Sequence, residues 1–142
     1  MQSPALQGME MRTDRLRMNQ LSRPAYDWYL SYLDSMDALD LRRYAAHLAD
    51  ECVLVMNNEA PMEGKQAIIA GLERYWQSFK SVEHDLLNIY GSDERFCLEA
   101  LNHYERHDGK HVTLRAVAFT DRKPDGKVTA VRLYTDIGPL FA

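Results

Sequence analysis

The sequence predicts an α+β domain in which helices come first and an antiparallel sheet follows. The second half of the chain contains four runs in which apolar and polar residues alternate, as they do in half-buried strands: residues 82–90, 96–106, 111–121 and 127–137. Short turn-like segments connect these runs. The Asp108-Gly109 pair is a strong hairpin signal, because both central turn positions need positive φ. The first half shows helical spacing instead.

The composition is that of one soluble domain and excludes several classes of partner. The chain has 142 residues, 46% of them hydrophobic and 27% charged, with a formal net charge of −4. We expect no nucleic-acid partner because there is no basic run, and no membrane span because no apolar stretch approaches about 20 residues. The N-terminus lacks the apolar core of a signal peptide, so a cytoplasmic location is expected. Cys52 and Cys97 lie far apart in sequence and are predicted to be free thiols.

The N-terminal part of the chain divides into an arm and a first helix. Residues 1–23 are polar without a clear period, and we predict a loose arm or an extra helical turn outside a domain of residues 24–142. Pro24 suits the first turn of a helix, because its missing N–H has no partner there in any case. A helix over residues 24–36 is predicted from the spacing of Tyr26, Tyr29, Leu30, Leu33 and Asp37.

Three further elements precede the four alternating runs. Asp40 can cap a short second helix that ends near Ala46. Residues 51–57 are predicted to form a buried strand, and residues 65–79 the clearest helix. One stripe of this third helix is apolar and faces the core: Ile68, Leu72, Tyr75, Trp76 and Phe79.

The register of the sheet decides which side chains share a face. If Asp108-Gly109 forms a two-residue turn, His107 lies opposite Lys110 and His103 opposite Leu114. Because alternate residues share a face, the face toward the helices is then predicted to carry Glu99, Leu101, His103, Leu114, Ala116 and Ala118. The small side chains of this set leave room for a cavity.

The opposite face of the sheet is also rich in apolar residues, which predicts that a second subunit covers it. On the central hairpin this outer set comprises Asn102, Tyr104, Arg115, Val117 and Phe119. In the last strand we expect Val131, Leu133 and Thr135 to face the helices, and Arg132 and Tyr134 to face outward.

Three segments carry a resemblance to a known family: HLADECVL at 47–54, MEGKQAI at 62–68 and DGKV at 125–128. Residues 24–137 resemble the SnoaL-like branch of the nuclear-transport-factor-2-like (NTF2-like) superfamily. The resemblance implies a cystatin-like cone, with three N-terminal helices packed on a strongly bent mixed, mostly antiparallel sheet. It also implies a ligand site between helices and sheet and a homodimer through the outer sheet face. The superfamily includes cyclases, isomerases, dehydratases, epoxide hydrolases, dioxygenase small subunits and noncatalytic binders.

His84 is the first candidate for chemistry. It alternates with Val82 and Leu86 in the first long strand. In the scytalone dehydratases of the superfamily, a histidine at a similar place polarises or protonates the substrate. By the same resemblance, Asp37 matches a carboxylate that supports the second histidine of those enzymes. Their two tyrosines fall near Met36 and Met56, so this chain departs from that pattern.

His103, Glu99 and Tyr32 complete the candidate catalytic set. An imidazole among apolar groups has its pKa lowered by desolvation, which suits His103 to act as a base, and Glu99 could orient it. The resemblance to steroid isomerases of the superfamily implies that Tyr32 donates to an oxyanion. The predicted pocket wall comprises Met56, Trp76, Leu101, Leu114 and Leu133. Asp108-Gly109 separates His103 from His111, so neither a metal ion nor a cofactor is expected.

These observations leave three hypotheses open. The first is a cofactor-free lyase, isomerase or cyclase that uses histidine acid–base chemistry on a small, largely apolar carbonyl or hydroxyl compound. The second is a noncatalytic ligand-binding or dimerisation module. The third is a small-subunit-like partner of an oxygenase. The fold class by itself does not choose among them.

Overall fold

The computed structural model describes residues 11–18 and 20–142. Within these ranges the chain forms seven strands and four helices, in this order: β1 Arg17–Met18, α1 Arg23–Asp37, α2 Leu41–Ala45, β2 Leu48–Met56, β3 Met62–Glu63, α3 Lys65–Trp76, β4 Ser81–Gly91, β5 Arg95–Glu105, β6 His111–Arg122, β7 Val128–Thr135 and α4 Gly138–Phe141. None of the described helices is both long and apolar enough to cross a membrane.

The strands form one mixed sheet in the order β1-β4-β5-β6-β7-β2-β3. Neighbouring strands are antiparallel, except that β1 runs parallel to β4 and β2 parallel to β7. The helices α1, α2 and α3 precede strands β4 to β7 and pack over one face, called here the inner face, around the main apolar core. The predicted α+β class, with three N-terminal helices on a mixed, mostly antiparallel sheet, is confirmed.

The caps of α1 and α2 follow from local sequence. Ser22 accepts a hydrogen bond from the N–H of Ala25 at 3.2 Å, and Pro24 lies in the first turn of α1. Asp40 accepts one from the N–H of Arg43 at 3.0 Å and so caps α2, as predicted. Because α1 continues to Asp37, its last residue is a carboxylate that reaches β4.

The hairpin between β5 and β6 has a three-residue turn rather than the predicted two-residue turn. The N–H of Arg106 donates to the carbonyl of Lys110 at 2.8 Å, and the N–H of Gly109 donates back to Arg106 at 3.0 Å. Gly109 has φ +85°, as the residue that ends such a turn requires. His103 therefore lies opposite Thr113, and Asn102 lies opposite Leu114.

This difference of one residue exchanges the two faces of β5. The residues of β5 that are buried on the inner face are Phe96, Leu98, Ala100, Asn102 and Tyr104. The predicted inner positions of Glu99, Leu101 and His103 are therefore wrong, and these three side chains belong to the outer face. The assignments for β6 and β7 agree with the structure: Ala116, Ala118, Val131 and Leu133 line the interior, whereas Tyr134 is exposed.

The described part of the N-terminal arm packs along β4, so it is not loose. The N–H of Arg12 donates to the carbonyl of His84 at 2.8 Å, and the N–H of Leu86 donates to Arg12 at 2.9 Å. Met11 is buried, and β1 adds a parallel strand to the edge of the sheet. The rest of the predicted arm, residues 1–10 and 19, lies outside the described residues.

Candidate active site

A cavity of about 100 Å³ lies between the helices and the inner face of the sheet. The small side chains of Ala100, Ala116 and Ala118 leave this space on the sheet side. Met56, Trp76 and Leu133 lie on its wall, where the sequence predicted them. The polar residues of the wall are Tyr29, Tyr32, Tyr44, Tyr75, His84, Asn102, Tyr104 and Thr120. The site is thus an apolar enclosure with a few polar groups, which is typical of small-molecule sites.

Asp37 and His84 form a buried pair at the cavity wall. Nδ1 of His84 is hydrogen-bonded to the Asp37 carboxylate, and the backbone N–H of His84 donates to both carboxylate oxygens at 3.2 Å. The side chains are 5% exposed for Asp37 and 11% for His84. A carboxylate on Nδ1 fixes the orientation and tautomer of an imidazole. Nε2 is then the ring nitrogen left to exchange a proton with a molecule in the cavity.

Two hydrogen-bonded pairs of tyrosines line the same cavity. Tyr32 and Tyr44 are hydrogen-bonded through their hydroxyls at 3.0 Å, and Tyr75 and Tyr104 at 3.1 Å. Burial raises the pKa of Tyr32 and of Tyr104 above the ordinary value, so both hydroxyls keep their protons. In each pair one proton bonds the partner oxygen, and the second proton remains available to a ligand.

Asn102 is one of two wall residues, with Tyr104, that the sequence interpretation placed on the outer face. It lies directly opposite His84 in the β4–β5 register and is 7% exposed. Its Oδ1 is buried and has no hydrogen-bond partner within the described ranges. The signal that would have revealed it is Gly109, since a three-residue turn ending in glycine shifts the register and brings Asn102 and Tyr104 inward.

His103 and Glu99 lie outside the cavity. Nε2 of His103 is 3.1 Å from the Asp85 carboxylate and Nδ1 is 2.8 Å from the Thr113 hydroxyl, on the outer face. Glu99 accepts a hydrogen bond from Asn88 at 2.5 Å on that face. Neither residue can act on a molecule in the cavity, because the sheet itself lies between.

Asp85, which holds His103, also anchors the N-terminal arm. Its side chain is fully buried and pairs with Arg15 as well as with His103. Burial opposes the charged form, but the hydrogen bonds of His103 and Arg15 and the charge of Arg15 outweigh it. They hold the pKa of Asp85 below its ordinary value.

Two predicted pocket residues lie elsewhere. Leu101 faces outward because of the register change. Leu114 does face inward, but it packs in a second small core with Phe79, Tyr104 and Leu140 and does not line the cavity. Within residues 11–18 and 20–142, no group of three or more His, Cys, Asp or Glu side chains is placed to hold a metal ion.

Comparisons with known proteins agree with this architecture. A family model described as the SnoaL-like domain matches residues 29–131, whereas no curated protein matches the sequence. A candidate SnoaL-like polyketide cyclase from Shewanella denitrificans OS-217 has 14% identity and a TM-score of 0.71, over 81% of this chain and 92% of that one.

Two other solved structures show the same likeness. An NTF2-like protein of unknown function from Burkholderia pseudomallei has 13% identity and a TM-score of 0.73, over 84% of this chain and 96% of that one. An LEH-like epoxide hydrolase from M. tuberculosis has 19% identity and a TM-score of 0.68, over 82% of this chain and 86% of that one. At these identities the likeness shows a shared fold alone and says nothing about the reaction. With most of its length matched by the family model and this fold around the cavity, the chain belongs to the SnoaL-like domain family.

Proposed function

We propose that the protein is a cofactor-free lyase, isomerase or cyclase, in which His84 transfers protons to and from a small, largely apolar molecule in the cavity. The observation that carries the proposal is the buried Asp37–His84 pair on an apolar wall. A carboxylate that orients a histidine, with the other ring nitrogen facing a cavity, is an arrangement suited to general acid–base catalysis.

The proton donors and acceptors at the cavity support a simple catalytic cycle. Nε2 of His84 takes a proton from a carbon next to a carbonyl, and the negative charge of Asp37 stabilises the imidazolium that forms. The spare hydroxyl proton of the Tyr32–Tyr44 pair donates to the developing enolate oxygen. The imidazolium then returns the proton to a second carbon, which is an isomerisation, or to a leaving hydroxyl, which releases water.

The size of the cavity limits the ligand to a compact molecule. An engineered apolar cavity of about 150 Å³ holds benzene, and the space here is about 100 Å³. Met36 and Met56 lie on the wall, and methionine side chains adapt readily to a bound molecule. A ligand with a single ring therefore fits the site better than a multi-ring one.

The test is hydrogen–deuterium exchange on a panel of small cyclic ketones, with and without a hydroxyl group, followed by NMR in D₂O. The native protein should accelerate exchange next to the carbonyl of at least one compound. His84→Gln and Asp37→Asn should each reduce that rate by about a hundredfold or more. His103→Gln is the matched control: its ring lies on the outer face, and the rate should not change.

Exchange that survives in His84→Gln, or that disappears equally in His103→Gln, contradicts the proposal. In that case the noncatalytic alternative is favoured, since the mostly apolar wall also suits a module that only binds a ligand. A binder would retain its ligand in His84→Gln with little change in affinity and would exchange no protons.

We also infer a homodimer through the outer face of β6 and β7. Phe119 and Tyr134 are 38% and 47% exposed there and contact each other edge to face at a ring distance of 6.1 Å. The Arg132 guanidinium lies 5.6 Å from the centre of the Phe119 ring. Exposed aromatic residues beside an arginine are the composition that protein interfaces favour. Continuity of this patch along two central strands supports a second copy of the chain as the partner.

A further inference from the structure

The link between α1 and α2 contains a residue with an unfavourable backbone. Ala38 is the C-cap of α1 and Asp40 the N-cap of α2, so Leu39 is the single residue between the two caps. Leu39 has φ +52°, in the left-handed region, where a Cβ crowds the following carbonyl oxygen and glycine is the usual residue. Strain of this kind persists where the surroundings hold it, and it is common near functional sites.

Backbone hydrogen bonds fix the corner that Leu39 forms. The N–H groups of Leu39 and Asp40 donate back to the carbonyls of Met36 and Ser35, both at 2.9 Å. This pair of bonds is the motif with which helices end at a left-handed residue. Helix α1 consequently ends at Asp37, whose carboxylate holds the proposed proton-transfer group.

The side chain of Leu39 accounts for the absence of glycine at this corner. It is partly buried and packs against the second small core, that of Phe79, Tyr104, Leu114 and Leu140. Glycine would adopt the same φ without strain but would leave this contact unmade. The strained corner is thus held by a side chain that is anchored in the small core.

Groups of the proposed site lie on both sides of the corner. Asp37 precedes Leu39 by two residues, and Tyr44 follows it by five. Asp37 bonds both Nδ1 and the backbone N–H of His84 in β4, while the hydroxyl of Tyr44 lies 3.0 Å from that of Tyr32 in α1. A shift of the corner would therefore move Asp37 relative to β4 and Tyr44 relative to α1.

From this geometry we propose that Leu39 is a positioning residue for the Asp37–His84 pair. Its anchored side chain keeps the end of α1 in place, so that the Asp37 carboxylate stays on Nδ1 of His84 and selects the tautomer in which Nε2 carries no proton. A misplacement of about 1 Å at reacting groups can reduce a rate about a hundredfold. The inference rests on the proposed function, because it assumes that His84 transfers protons.

The experiment separates the side chain of Leu39 from its backbone strain. Leu39→Gly and Leu39→Asn both accept positive φ but remove the apolar anchor, whereas Leu39→Met keeps an apolar side chain of similar volume. Two quantities are compared with those of the native protein. The first is the rate of hydrogen–deuterium exchange on the small cyclic ketones. The second is the pair of ring-nitrogen chemical shifts of His84, measured where the ring is neutral, which report whether Nδ1 or Nε2 carries the proton.

Val112→Ala is the matched control. Val112 lies on β6 and packs against the same small core as Leu39, but it does not line the cavity. The substitution therefore loosens this core without changing the corner between α1 and α2.

In Leu39→Gly and Leu39→Asn the exchange rate should fall by about tenfold to a hundredfold, and the nitrogen shifts should indicate a mixture of the two tautomers. Leu39→Met should keep the native tautomer and a rate within about twofold of the native one. Val112→Ala should lower the melting temperature, while the rate and the tautomer stay native.

A native rate and a native tautomer in Leu39→Gly overturn the positioning role while leaving the proposed function intact. An equal loss of rate in Val112→Ala also overturns it, because any loosening of the small core would then have the same effect. If the native protein exchanges none of the ketones, the proposed function fails and the inference fails with it. If Leu39→Gly does not fold, Leu39→Asn serves the same comparison.

Discussion

Two aspartate–histidine pairs lie back to back on β4. His84 points into the cavity and pairs with Asp37, while its neighbour Asp85 points outward and pairs with His103. The same two residue types thus serve different ends, because successive side chains of a strand face opposite sides. In the proposed function the inner pair moves protons, whereas the outer pair lies beneath the N-terminal arm, where Arg15 joins it.

The outer pair should make the stability of the protein depend on pH. The pKa of Asp85 is held below its ordinary value in the folded state, so the folded state binds the proton of this carboxyl more weakly than the unfolded chain. The stabilisation is therefore present at neutral pH and is lost as the pH falls through the folded pKa. Urea denaturation from pH 7 to pH 3 should show this loss.

Asp85→Asn is the test of that dependence. It should lower the free energy of unfolding at pH 7 by about 1–3 kcal/mol and flatten the fall toward acid pH. Asp34→Asn is a suitable control, because Asp34 pairs with Arg43 nearer the surface and should change stability little. Equal acid sensitivity of the native protein and Asp85→Asn would show that other carboxyls cause the effect.

At this scale the sequence predicted some site residues and missed others for a physical reason. Asp37, His84 and Tyr32 were named from helical spacing, strand alternation and the family resemblance, and all three lie on or at the cavity. Asn102 was missed because its place depends on hydrogen bonds in a loop seven residues away. No property of asparagine itself distinguishes an inner position from an outer one.

At the level of elements, the β5–β6 hairpin shows how one turn residue decides a face. Asp108-Gly109 suggested a two-residue turn, but Arg106 bonds to Lys110 around three residues. Both turns use a glycine at positive φ, so composition alone does not separate them. Helices α1 to α3, strand β2 and the four strands β4 to β7 were predictable from periodicity, whereas β1, β3 and α4 were not. The register required the backbone hydrogen bonds.

Two glycines with positive φ should respond very differently to substitution. A Cβ on Gly109 would meet no atom within 4 Å, whereas a Cβ on Gly91 would lie 2.2 Å from the carbonyl oxygen of Arg95. Gly109→Ala should therefore lower the free energy of unfolding by about 1 kcal/mol, through backbone strain alone. Gly91→Ala should cost at least about 2 kcal/mol more, because the β4–β5 connection must move.

Urea denaturation of the two variants checks this difference, and each serves as the other's control. Equal losses in the free energy of unfolding would mean that the backbone around Arg95 moves at little cost. A larger loss in Gly109→Ala would contradict the geometry of both turns.

For the whole molecule, the exposed aromatic patch on β6 and β7 predicts the oligomeric state. Phe119→Lys should convert the proposed dimer to a monomer, since burying an unpaired ammonium in the interface is costly. Sedimentation equilibrium measures the change. Phe141→Lys is the matched control, because Phe141 is 56% exposed on α4 and lies off the sheet. A dimer that persists in Phe119→Lys would place the contact elsewhere.

The three alanines beneath the helices have a consequence for the molecule as a whole. By leaving about 100 Å³ unfilled, Ala100, Ala116 and Ala118 forgo roughly 2 kcal/mol that tighter packing at this spot would provide. A few extra methyl groups there would give a more stable protein with no room for a ligand. Tighter packing and space for a ligand thus exclude each other at these three positions, and this chain keeps the space.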